Sequence, residues 1–148
     1  MTNFDAETDQ LPNEHDGLLA RLAALVAPAL DDVVFEEVPP AGDEMESGAC
    51  RLCAYVRGKL YSLPARNLGD WYDVEAVLNL MNATAKEHGS KARFVGLASQ
   101  DQTMAVVGAP AGAIARAIQG GLIEIGATGE AEKAGKSFEQ QVVEGFKN

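Results

Sequence analysis

A chain of 148 residues with 47% hydrophobic and 23% charged side chains has an ordinary globular composition, and at this length it can bury roughly two thirds of its unfolded surface without a disulfide or a metal. Its net charge is −10, and the whole excess lies in residues 1–50, where twelve acids stand against one base, Arg21. That distribution argues against unaided nucleic-acid binding, which depends on neutralising phosphates, and is suited to a basic protein partner. The longest apolar-rich segment, Leu18 to Leu30, is interrupted by Arg21 and Pro28, well short of a membrane span. The first residues lack the basic and apolar regions of a signal peptide, so the expectation is a cytoplasmic protein with no membrane partner.

Taken in chain order, residues 1–13 are polar and without periodicity, which predicts a flexible acidic tail, with one α+β domain over residues 14–148. A helix is expected from an Asp16 cap, with Leu18, Leu19, Leu22, Leu25 and Val26 as its apolar stripe and Pro28 at its end. Val33–Val38 reads as a strand, and Pro39 to Glu44 as a loop. Arg51–Val56 and Lys59–Leu63 form a predicted hairpin turning at Arg57-Gly58, with Val56 opposite Lys59 and Leu52 opposite Leu63, and with Pro64 closing the strand.

The strongest helical pattern covers 71–88, capped by Asp70 and stopped by Gly89, with Val74, Val77, Leu78 and Met81 on one face. A second hairpin pairs Arg93–Ala98 with Thr103–Val107 across residues 99–102, and both of its faces are apolar. A helix after Pro110, a short extended segment at Leu122–Ile125 and a flexible stretch at 127–136 follow. Phe138, Val142, Val143 and Phe146 then fit a C-terminal amphipathic helix. The order α-β-β-β-α-β-β-α, rich in hairpins, predicts a mainly antiparallel α+β fold with its helices on one face. Because those helices cover only one face of the second hairpin, a homodimer built around it is expected.

This element order, the small size and the acidic balance resemble the type III secretion chaperone fold over about residues 16–119. The resemblance implies a protein that binds partner polypeptides as a homodimer and is not an enzyme.

Motifs that carry chemistry are weak. Cys50 and Cys53 form a C-x-x-C spacing, but it runs into a strand, where positions three apart face opposite ways, and no helix follows to lower a thiol pKa. Two further zinc ligands are missing, since only His15 and His88 remain and neither has paired spacing, so the two cysteines read as buried thiols and neither metal nor cofactor is expected. Gly108 to Ala113 lacks the spacing of a phosphate loop. His88, beside Lys86 at a helix end, reads as a capping residue. Trp71 and Tyr72 are candidate interface anchors, and Asp43, Glu44 and Glu46 are candidate contacts to a basic partner. The expected function is therefore a non-catalytic protein-binding module presenting an acidic surface. The alternative is a small enzyme or ligand-binding domain assembled from Cys53, Tyr55, Tyr61 and His88.

Overall fold

A computed structural model describes residues 1–8, 14–42, 45, 48–98 and 101–126. It is α+β, as the alternation of hairpins and amphipathic segments requires. The elements are β1 (Thr2–Asp5), α1 (His15–Ala24), β2 (Val34–Val38), β3 (Cys50–Val56), β4 (Lys59–Ala65), α2 (Val74–Glu87), β5 (Ala92–Gly96), β6 (Thr103–Pro110) and α3 (Ala111–Gln119). Two antiparallel three-stranded sheets result, ordered β1-β6-β5 and β2-β3-β4.

The β3-β4 hairpin has the expected register, with Val56 opposite Lys59, Ala54 opposite Tyr61 and Leu52 opposite Leu63. Its two-residue turn places Arg57 at φ 50° and Gly58 at φ 79°, the mirror-image turn whose twist matches the strands it joins. Pro64 does not close the strand: it pairs with Arg51 inside β4, which is tolerated because β4 is an edge.

The second hairpin departs from expectation by one residue. Phe94 lies opposite Gly108 and Gly96 opposite Val106. Phe94, Gly96, Met104 and Val106 therefore share one buried face, whereas the simpler loop count had put Phe94 with Thr103 and Ala105. The reason is steric. A side chain at Gly108 would come within 2.9 Å of the Phe94 ring, so this glycine is where the buried ring can lie flat across its partner strand. A one-residue slip exchanges the faces, and the packing of Phe94 decides it.

Helix α2 packs against β3 and β4 of one sheet and β5 of the other, and α1 joins it over β2. Val77, Leu78, Leu80 and Met81 of α2 meet Leu19 and Leu22 of α1, Leu52 of β3 and Phe94 of β5 in one cluster. Asn82 adds a polar pin, donating to the Phe94 carbonyl and accepting its N–H. The helix starts later than expected. Asp73, not Asp70, is the cap and accepts from the Ala76 N–H, and Trp71 and Tyr72 precede the first turn. Its end is as expected, with Gly89 at φ 78° and the Ser90 N–H reaching the Ala85 carbonyl. Helix α3 packs against β5 and β6, where Ile114 is buried outside the central cluster. Beyond it, residues 124–126 run along β5 and exchange backbone hydrogen bonds with Gly96 and Ala98.

The flexible tail expected over 1–13 is corrected for its first residues. Thr2–Asp5 pairs with β6, Phe4 and Ala6 are buried, and the backbones of Ala6 and Thr8 bond to Tyr72 and Asp70. One aromatic and one alanine at alternate positions anchor a strand too short to show a period. The expected segments at 127–136 and 138–146, and the loop acids Asp43, Glu44 and Glu46, lie outside the described residues. No helix among the described residues is long and apolar enough to cross a membrane.

Two stability outcomes follow. Phe4→Ala should cost about 3 kcal/mol, the scale for emptying a buried aromatic site, measured by urea denaturation; an unchanged midpoint would show that β1 is dispensable. The Thr84 hydroxyl is fully buried inside α2 and has no hydrogen-bond partner among the described residues. Thr84→Val should therefore raise stability by about 1 kcal/mol in the same assay, and a loss would show that the hydroxyl is satisfied.

Candidate functional site

The chemistry-bearing side chains that the fold brings together are His15, Glu37 and Cys50. Each offers a ligating atom, and the three atoms lie within 4.8 Å of one another. The arrangement follows from the strands. In β2, Phe35 and Glu37 alternate onto the core side, which carries a carboxylate inward. Glu37 pairs with Leu52 on β3, and Cys50 sits two residues before it on the same side. His15 opens α1 and is 3% exposed.

Glu37 accepts from three donors. Oε2 takes the backbone N–H of His15 at 3.1 Å, and Oε1 takes His15 Nδ1 at 2.9 Å and the Cys50 thiol at 3.1 Å. Helix α1 has no side-chain cap of its own, since Glu14 makes no such bond, so Glu37 caps it from β2. On the other side of the ring, the Asp73 N–H donates to His15 Nε2 at 3.1 Å. The Tyr72 ring stands edge-on to the imidazole at 5.2 Å between centroids. Asp73 in turn receives two bonds from the Arg66 guanidinium and one from the Arg66 N–H.

Hydrogen-bond directions decide what this cluster can do. Because Nε2 accepts from Asp73, the ring proton sits on Nδ1 and is donated to Glu37. A cation on Nδ1 would force that proton onto Nε2, facing the Asp73 N–H. Burial, reinforced by the bond to Glu37, pushes the Cys50 thiol up to about 12, so it is neither a thiolate ligand nor a nucleophile near neutrality. His15 holds its proton towards Glu37 and not towards the sulfur, so a cysteine–histidine nucleophilic pair is also absent. The cluster is a closed polar joint between α1, β2, β3 and the start of α2.

The residues singled out from sequence are dispersed. Trp71, a candidate anchor, is 2% exposed and packs in the core, because the helix starts at Val74 and leaves the indole to fold inward. Tyr72 is half-buried against Phe4 and His15. Cys53 and Tyr55 lie on the outer face of β3, where Tyr55 donates to Glu36 at 2.8 Å. Tyr61 lies on the core side and reaches Glu87 at 3.4 Å. His88 sits at the end of α2 and contacts Asp32 at 2.7 Å. These four do not converge. Cys50 and Cys53 face opposite sides of β3 and are free thiols.

What the sequence reading missed is Glu37 and the outer face of its own sheet. The signal for Glu37 is a carboxylate at an inward strand position, in register with Phe35. On the outer face, Val34 pairs with Tyr55 and Tyr55 with Leu60, a cross-strand row whose members are 62%, 39% and 55% exposed. An open groove of about 340 Å³ at Arg66, Asp73, Glu75 and Asn79 lies elsewhere, its charges already paired with one another. Comparison with protein-family models, curated proteins and solved structures finds no match, so the likeness to secretion chaperones remains one of element order.

Two measurements test the joint. Long-range ¹⁵N–¹H NMR of His15 should show a protonated Nδ1 and an unprotonated Nε2 at neutral pH; the opposite tautomer would contradict the assigned network. In the acid range, burial raises the Glu37 and Asp73 carboxyls, but hydrogen bonds from His15 and Cys50 to Glu37, and from Arg66 and Ala76 to Asp73, outweigh it and hold both below their ordinary values of 4.5 and 3.8. Groups depressed in this way stabilise fully above their unfolded values, and the contribution is lost as pH falls through the folded ones. Stability should therefore drop below about pH 4, and Asp73→Asn, which keeps a helix cap, should flatten that drop. Parallel acid limbs for the two proteins would refute the assignment.

Proposed function

We propose that the chain is a non-catalytic protein-binding module and that it takes its partner on the outer face of the β2-β3-β4 sheet. The observation that carries this reading is the exposed row Val34-Tyr55-Leu60, three large apolar side chains aligned across three strands. Scattered surface hydrophobics are ordinary, but a contiguous row on a sheet face favours recognition. The closed chemistry of the His15-Glu37-Cys50 joint and the dispersal of Cys53, Tyr55, Tyr61 and His88 favour binding over catalysis. Glu36 flanks the row, and exposed Asp31 and Asp32 immediately precede β2, so the partner's contact on that side is basic.

Photo-crosslinking in the native cell tests this. Benzoylphenylalanine at position 60 should give a discrete adduct, whereas the same group at Lys91, exposed before β5, should not. Val34→Glu should abolish the adduct while shifting stability by no more than about 0.5 kcal/mol, as expected of an exposed site. Equal adducts at both positions, or none at position 60, would refute the proposal.

A further inference from the structure

The size and the edges of the same face restrict what can occupy it; the inference rests on the binding reading above. Strands about 4.8 Å apart, with residues about 3.3 Å apart along them, give a three-stranded face of seven-residue strands a footprint of about 14 by 23 Å, or about 330 Å². A stable interface between two folded proteins removes about 800 Å² from each, so this face alone is too small to hold a second copy of the chain, even allowing for side-chain relief.

Strand addition is disfavoured at both free edges. β2 carries Glu36 and Glu37 in succession, and Glu37 is committed to the joint with His15 and Cys50. β4 carries Pro64, which cannot donate to a ladder.

A single helix fits. The opposite side of β3 and β4 is packed by α2, whose 14 residues span about 21 Å, the length of these strands. The outer face has the same dimensions and an apolar row across its middle. We infer that it accepts one amphipathic helix from a partner protein, three to four turns long, with apolar residues at i, i+3 or i+4, and i+7. This is the helix-on-sheet layer that α2 makes on the inside, completed in trans.

Peptide display against the full chain tests this, using a random 16-residue library as the probe. The expected winners repeat apolar residues every three to four positions, gain helical circular dichroism on binding, and bind the Leu60→Glu variant at least tenfold more weakly. Amide shifts in the ¹⁵N-labelled chain should centre on Tyr55 and Leu60. Winners with a two-residue apolar period would assign the face to a strand and overturn the inference. So would concentration-dependent dimerisation lost in Leu60→Glu, which would assign it to a second copy. Leu60→Glu shifts confined to the amides of residues 127–148 would assign it to the chain's own C-terminal segment and would likewise overturn it. A cellular adduct at position 60 together with any of these results would leave the binding role standing and remove only the helix; no adduct at all would remove the role itself.

Discussion

The structure depends on one buried carboxylate. Glu37 accepts the first N–H of α1, the ring proton of His15 and the thiol proton of Cys50. A carboxylate taken out of water is costly unless its oxygens are filled, and here three donors from two other elements fill them. The arrangement supplies the cap that α1 lacks and ties β2 to the helix. Through the far nitrogen of the same imidazole it reaches the Asp73 N–H, so both main helices begin on one hydrogen-bonded chain. Arg66, 60% exposed, closes the far end on Asp73, which is 3% exposed.

That joint explains why α2 can serve both sheets. With its start fixed by Asp73 and its end by Gly89, the helix presents Val77, Leu78, Leu80 and Met81 to strands on both sides. The N-terminal strand then locks the assembly from outside. β1 pairs with β6 while the residues after it bond to the segment leading into α2, so one short stretch touches the two parts of the fold that α2 joins. The inward sides of the sheets are used up in this way, and the outer side of β2-β3-β4 is left to present Val34, Tyr55 and Leu60 to solvent.

Local patterns made much of this legible. The β3-β4 register could be read because a two-residue turn with glycine fixes it, and the C-terminus of α2 because Gly89 is a strong stop. Boundaries that depend on tertiary contacts could not be read. Asp70 and Asp73 are equally good caps by residue type, and only the Arg66 pair distinguishes them. The slip in the second hairpin turns on Phe94 lying over Gly108, a contact between residues fourteen apart. His15, beside a polar segment, carried no sign of burial until β2 placed Glu37 against it. The exposed row was equally hidden, because Val34, Tyr55 and Leu60 align only once two registers are known.

The account separates a polar cluster that looks chemical but builds the fold from an apolar row that looks inert but is free to bind. The first half is tested most directly by a double-mutant cycle on His15→Leu and Glu37→Leu, read as unfolding free energy in urea. If the pair is a structural joint, each single change strands a buried polar partner and costs at least about 2 kcal/mol, and the double variant loses at least about 1 kcal/mol less than the sum. Additive losses, or singles that leave stability unchanged, would contradict it and show that the fold does not hang on Glu37.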